Sequence, residues 1–372
     1  MTIEDTPAWF QYPCRGVFLG YCGKFCPKFC FYVMNRILKV ILASFLVCLT
    51  CGAKPTHRVV GYVTSWSQGM PETDILTTIN YAFAHVNDTF DGIRIDNPSR
   101  LDSIASLKRS APGLEVLLSV GGWGSGGFSE MASDSLKRKS FAEACRNLVD
   151  RLGLDGIDID WEYPGSSAAG ISSSRADKNN FSLLMRDLRQ ALGEDNLLTM
   201  AAPATVGFYE FRDVIPYVDF INVMAYDLNR PPYHHSSLFR SRLSGDMTAD
   251  EGIRAHLAAG IPSGKLILGV PFYGHGKKGV FPDFVDFSDI RPEKKMKEEY
   301  DKIACVPYIV DKEGKMVMTF ENERSIARKC RYVLENGLGG IMFWEYGGDA
   351  PDHSLLRAIG KHLMTPASEE RH

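Results

Sequence analysis

The chain has 372 residues, 45% of them hydrophobic, with 42 Lys and Arg against 45 Asp and Glu for a net charge of −3. That length suits one large domain or two small ones. The near-even charge balance excludes a nucleic-acid-binding footprint, and the apolar content excludes a disordered chain.

The first 56 residues read differently from the rest. Met34-Asn35-Arg36-Ile37-Leu38-Lys39 is a basic n-region, and Val40–Leu49 is an apolar run too short to span a bilayer. This pattern predicts a secretory signal over 34–53 that begins at Met34 rather than Met1. Two endings compete. One is acylation of Cys51, in a Leu49-Thr50-Cys51-Gly52 context that resembles a bacterial lipobox apart from Cys48 at position −3; the other is cleavage after Ala53. The lipoprotein ending is favoured. Residues 1–33 carry Cys14, Cys22, Cys26 and Cys30 without a Cys-x-x-Cys pair, so an upstream extension is expected there rather than a metal knot. Cys145, Cys305 and Cys330 remain beyond the leader and are expected to be unpaired structural thiols.

From residue 57 to 365, apolar strand-like runs alternate with amphipathic helical stretches. The predicted strands are Val59–Thr64, Thr78–Val86, Leu114–Gly121, Leu154–Glu162, Leu197–Pro203, Phe220–Asp227, Leu266–Tyr273 and Gly340–Tyr346. Helical patterns cover Leu136–Leu152, Lys178–Leu192, Ala249–Ala259, Glu323–Glu335 and Ser354–Leu363. Apolar strands separated by helices signal a parallel sheet buried on both faces. The fold class is therefore α/β, a (β/α)8 TIM barrel. A doubly wound open sheet would want a Gly-rich turn after the first strand, and Thr64-Ser65-Trp66-Ser67 is not one. Residues 276–319 are surplus to the helix expected after strand 7. They are read as a small α+β insertion between strand 7 and helix 7, with the charge run Arg291–Lys302 as a solvated helix face. A hairpin of Val306–Val310 and Lys315–Thr319 is expected around Glu313-Gly314.

The chemistry concentrates at Asp155-Gly156-Ile157-Asp158-Ile159-Asp160-Trp161-Glu162-Tyr163-Pro164. On a strand, Asp158, Asp160 and Glu162 share one face at roughly 6.6 Å spacing. Like charges crowded on a buried face raise a pKa, which is what a general acid needs. A metal site would draw ligands from several elements, and no comparable Asp, Glu or His set marks the other strand ends. Active sites of such barrels sit at the C-terminal strand ends. Trp66, Trp123, Trp161 and Trp344 all fall at such ends, which suits the flat faces of sugars. Two carboxylates side by side on one strand cannot easily flank a sugar, so the nucleophile must come from elsewhere. A substrate acetamido group is the obvious candidate.

The run Asp155-x-x-Asp158-x-Asp160-x-Glu162-Tyr163-Pro164 resembles the signature of glycoside hydrolase family 18 chitinases. So do, in order, Gly61-Tyr62 with Trp66, Tyr81-Ala82-Phe83, Ser119-x-Gly121-Gly122-Trp123, Met224-Ala225-Tyr226-Asp227, Gly269-Val270-Pro271-Phe272-Tyr273-Gly274 and Phe343-Trp344-Glu345. The resemblance implies substrate-assisted, retaining hydrolysis of β-1,4-linked N-acetylglucosamine. Glu162 would be the acid/base, Asp160 would hold the acetamido N–H, Asp158 would share a proton with Asp160, and Tyr226 would hydrogen-bond the acetamido group. Ser119 and Tyr62 would surround Asp158, and Asp227 would support the twisted sugar in subsite −1. Trp344 would floor that subsite, Trp123 would form a +1 platform, and Met224 would shape the pocket. Phe83, Gly122 and Tyr273 complete the substrate-binding set. Asp155 reads as a brace and Trp161 as outward packing.

The resemblance also implies no cofactor and no metal, chitin or its oligosaccharides as partner, no nucleic acid, and a monomer that touches membrane only through an N-terminal lipid. The protein is expected to be exported, either secreted or periplasmic, or lipid-anchored at a bacterial cell surface. His275 departs from the family, which often has Arg there, and the short insertion predicts a shallow groove. No carbohydrate-binding module is expected. An endo-β-N-acetylglucosaminidase acting on the N-glycan chitobiose core is the nearest rival. A non-catalytic chitin-binding lectin is the other, although such lectins typically lose the acid that Glu162 supplies.

Overall fold

A computed structural model describes residues 57–364. The expectations for the leader, for Cys51 and for the upstream extension lie outside the described residues.

The strands in chain order begin with β1 (Arg58–Thr64), β2 (Thr78–Val86), β3 (Ile93–Ile95) and β4 (Glu115–Gly121). They continue with β5 (Gly156–Asp160), β6 (Leu197–Pro203), β7 (Phe220–Met224) and β8 (Leu266–Pro271). Then come β9 (Tyr273–Gly276), β10 (Phe284–Asp286), β11 (Lys297–Asp301), β12 (Val306–Val310), β13 (Met316–Thr319) and β14 (Gly340–Trp344). Strands β1, β2, β4 to β8 and β14 run parallel, and β1 pairs with both β2 and β14, so the sheet closes on itself. This is the predicted (β/α)8 barrel. Its strands are predominantly apolar because both faces are buried, apart from a few buried polar residues that point into the barrel.

The outward residues meet the helices. Trp161 stacks on Phe128 at 5.2 Å between ring centroids and lies 6.2 Å from Phe181. Both rings belong to surrounding helices, Phe128–Ser133 and Asp177–Leu192. The helix Ser135–Leu152 starts where Asp134 accepts from the Leu136 N–H at 2.7 Å and stops at Gly153 in the left-handed region. Asp155 accepts from the Val116 N–H at 2.7 Å and from Lys108 Nζ at 2.8 Å, tying β4 to β5 at the end of the barrel away from the acids. Cys145 and Cys330 are buried free thiols, and Cys305 is free and partly exposed.

Four strand ends fall short of expectation, the last predicted run stopping at Trp344 rather than Tyr346. Strand β5 stops at Asp160, its last ladder partner being Gly121, so Glu162 opens the following loop. Strand β7 stops at Met224, and Asp227 turns with φ 58°. The seventh predicted run breaks at Phe272, so Tyr273 and His275 belong to β9 and to the inserted sheet.

That sheet is antiparallel, in the order β10-β9-β13-β12-β11. The charge run 291–302 is not a helix face. Its second half is β11, an edge strand held by β12, where Tyr308 Oη donates to Glu299 at 3.1 Å. Charged side chains on an open edge are a common way to discourage further pairing. Helical content in the insertion is limited to the 3-10 turn Phe287–Asp289. Strands β12 and β13 form the expected hairpin, and Ile290, Ile309, Val317, Met318 and Phe320 make a small core beneath it.

Candidate active site

A cleft of about 880 Å³ opens where the barrel strands end. Tyr62, Phe83, Trp123, Asp160, Glu162, Met224, Tyr226, Asp227, Tyr273 and Trp344 line it. Ser119 and Asp158 lie in the buried layer beneath. Gly122 packs behind Phe83, where an added Cβ would sit 2.6 Å from the ring, and its φ of 93° is one that side chains rarely adopt.

Parallel pairing builds the layer of acids. Ser119, Asp158 and Thr199 are direct partners across β4, β5 and β6, and all point into the barrel. Asp158 is fully buried and accepts four hydrogen bonds. Tyr62 Oη and Ser119 Oγ each donate to Oδ2 at 2.8 Å, while Thr199 Oγ1 at 2.6 Å and Asn222 Nδ2 at 3.3 Å donate to Oδ1. Burial still raises its pKa, against the pull of those donors. Asp160, one step up the strand, is raised well above the carboxylate range by burial and then by the charges of Glu162 and Asp158. Glu162, at the rim, is lifted to about 7 by burial, with Asp227 adding to the effect. Three carboxyls in one column therefore hold fewer than three charges near neutrality, and the outermost is poised to give up a proton.

Asp227 behaves oppositely. Burial pushes its carboxyl up, but the imidazoles of His235 and His275 outweigh it and hold the group well below the usual range. Tyr273 Oη donates to Oδ1 at 2.6 Å, and His275 Nε2 lies at 2.6 Å from the same oxygen.

Aromatic rings supply the walls. Trp344 stacks on Phe83 at 5.5 Å and 18° and tilts against Tyr62 at 5.6 Å. Trp66, 59% exposed, lies 6.4 Å from Trp344, and Trp123, 64% exposed, meets Tyr163 edge-on at 6.5 Å. Both indoles line the same cleft, where together they offer an apolar wall to a flat ligand.

Some neighbours were not singled out from the sequence. Thr199 and Asn222 carry no motif, and only strand register brings them to Asp158. Trp66 falls at a strand end, a position that does not by itself mark it for substrate, and it lines the cleft. Phe284 comes from β10, and Arg230, Asp246 and Met247 from the loop after β7, where no periodic pattern locates a side chain.

A closed parallel barrel that gathers a column of raised carboxyls and a set of aromatic faces into one rim cleft has the architecture of a glycoside hydrolase. The chain belongs to the glycosyl hydrolases family 18, whose model matches residues 58–349. It is similar to Chitinase A1 of Niallia circulans, with 29% identity over 86% of this chain and 60% of that protein's length. Chitotriosidase-1 of Mus musculus is 28% identical over 84% of this chain and 80% of its own. Among solved structures, a family 18 N-acetylglucosaminidase from Paenibacillus barengoltzii is 34% identical with a TM-score of 0.74, over 82% of this chain and 100% of that one. The cell-surface-expressed chitinase ChiW from Paenibacillus has a TM-score of 0.78 at 27% identity, over 84% of this chain and 43% of that one.

Proposed function

We propose that the chain hydrolyses β-1,4-linked N-acetylglucosamine polymers and oligomers with retention of configuration, using the substrate's own acetamido oxygen as nucleophile. One observation carries this reading. Asp160 and Glu162 rise in a single column, and Asp227 is tied down by Tyr273 and His275. An ordinary retaining enzyme needs two free carboxyls about 5–5.5 Å apart that flank the sugar. Residues two apart along one strand and its extension do not flank anything.

In this mechanism Glu162 gives its proton to the glycosidic oxygen, and the bond from that oxygen to C1 breaks. The acetamido carbonyl oxygen closes on C1 to form an oxazolinium ion. Asp160 accepts a hydrogen bond from the acetamido N–H while it shares a proton with Asp158 beneath it. Glu162, now a carboxylate, removes a proton from water; the water attacks C1, the ring opens, and Glu162 is again protonated. Trp344 floors subsite −1 and Trp123 carries the sugar beyond the scissile bond. The names of Chitinase A1 and of the Paenibacillus N-acetylglucosaminidase support the same sugar. Insoluble chitin, chitotetraose and a high-mannose glycopeptide digested in parallel test the substrate. Early proton NMR tests the stereochemistry, because a first-formed α-anomer rules out retention.

The basic and apolar leader supports export, and ChiW is described as cell-surface-expressed. We place the chain outside the cytoplasm, held by lipid on Cys51. Labelled fatty acid should enter the wild-type chain and not Cys51→Ala; equal labelling of both contradicts the anchor.

A further inference from the structure

The loop after β7 and strand β9 bring two imidazoles against the Asp227 carboxyl. His235 is fully buried, and His275 is 2% exposed. Their nitrogens and the Asp227 oxygen lie within 4.8 Å of one another. His275 Nδ1 lies 2.6 Å from the Asp283 carbonyl oxygen, and its Nε2 lies 2.6 Å from Asp227 Oδ1. Both edges of that ring therefore face oxygen acceptors. A neutral imidazole has one proton to donate. If Nδ1–H serves the carbonyl, the Nε2 lone pair confronts the carboxylate, and the contact is favourable only with a cation between them. The cation is either a second proton or a metal ion.

His235 distinguishes the two. Its Nδ1 is 3.8 Å from Asp227 Oδ1, too long for a hydrogen bond, and neither of its buried nitrogens has a hydrogen-bond partner. A second proton on His275 leaves both of those nitrogens unsatisfied. A metal ion among the three side chains takes up one of them, together with the His275 Nε2 lone pair and the Asp227 carboxylate.

We propose that Asp227, His235 and His275 form a binding site for a divalent transition-metal ion of the zinc class, and that an ion held there withdraws Asp227 from the cleft and inhibits hydrolysis. The inhibition rests on the function proposed above; the binding does not. Two imidazoles and one carboxylate suit zinc, nickel or copper and not magnesium or calcium. Metal–ligand bonds of about 2.0–2.2 Å set neighbouring ligand atoms about 3–3.5 Å apart. The Asp227–His275 gap need only open by roughly half an ångström, and His235 must move in toward both, from 3.8 Å off Asp227 and within 4.8 Å of His275. The Asp283 carbonyl on Nδ1 is the outer support that metal-bound histidines commonly have. The Asp227 side chain is 50% exposed and gives the ion its way in from the cleft.

Cobalt(II), added to the full chain without sugar, should give visible ligand-field bands that saturate at one equivalent and are displaced by zinc. His235→Asn and His235→Gln should lose these bands while still melting cooperatively, and their hydrolysis in metal-free buffer sets each variant's own baseline for zinc inhibition. They should need at least about tenfold more zinc for half-inhibition. A wild-type chain with no cobalt bands and no zinc-dependent rise in melting temperature overturns the site. Cobalt bands that survive both His235 variants overturn the ligand assignment. Saturating zinc that leaves wild-type hydrolysis unchanged overturns the inhibition alone. If the metal-free chain cleaves no sugar, the functional reading fails while the cobalt spectrum still decides the site.

Discussion

Glu162→Gln tests the raised acid in two ways with one substitution. Burial lifts this carboxyl from 4.5 to about 7. At about 1.36 kcal/mol per pKa unit, that shift is worth roughly 3 kcal/mol. The folded state holds the proton more tightly than the unfolded state. The contribution therefore favours folding below about pH 4.5 and is lost as pH rises from there to about 7. Above that window the folded protein carries a partly buried, ionised Glu162, and Gln carries no such charge. Urea titrations should find the two proteins equally stable near pH 4 and the variant more stable near pH 8, by up to roughly 3 kcal/mol. Activity should move the other way. A positioned general acid is worth roughly 10²–10⁴-fold, so kcat on chitotetraose near pH 6 should fall at least about 100-fold. Calorimetry should find sugar binding retained. Equal stability at both pH values, or more than a few per cent of residual activity, refutes the reasoning.

Other substitutions probe the walls and the frame. Wild-type kcat/KM should fall about tenfold per unit above pH 7, as Glu162 loses its proton; a flat profile to pH 9 argues against that acid. Trp123→Ala removes a ring that is already 64% exposed, so KM should rise while the melting temperature stays put. Gly122→Ala forces a Cβ to within 2.6 Å of Phe83 at a φ of 93°. It should cost about 1–3 kcal/mol of stability and lower kcat/KM together, readable in paired melts and kinetics. Lys329 donates to buried Glu321 and to the Ser236 carbonyl at 2.6 Å, fastening the loop after β7 to the helix Glu323–Glu335. Lys329→Ala strands a buried charge and should cost about 3–5 kcal/mol by denaturant titration. Pairing Lys329→Met with Glu321→Leu should restore most of it.

The barrel could be read from the chain because its strands are buried on both faces and its helices are amphipathic. Each leaves a periodic trace. The acids were legible for a related reason: Asp158 and Asp160 interrupt an apolar strand at a period of two. The ends of β5 and β7 were less legible, since a ladder stops where its neighbour stops, and that depends on pairing across the sheet. Edge strand β11 departs from the expected helix because a run of charged, solvent-facing side chains has the same composition on an edge strand as on a helix face. Asn222 and Thr199 reach Asp158 only through the register of separate strands. His235 lies in a loop with no regular pattern, and its approach to Asp227 and His275 depends on the turn after β7 and on the inserted sheet.

The central claim is that the substrate provides the nucleophile. Chitotetraose and its fully N-deacetylated counterpart, assayed side by side at equal concentration, test it most directly. Rapid cleavage of the acetylated sugar with no detectable cleavage of the deacetylated one is the predicted result. Comparable turnover of both would contradict it and require a carboxylate of the protein to attack C1.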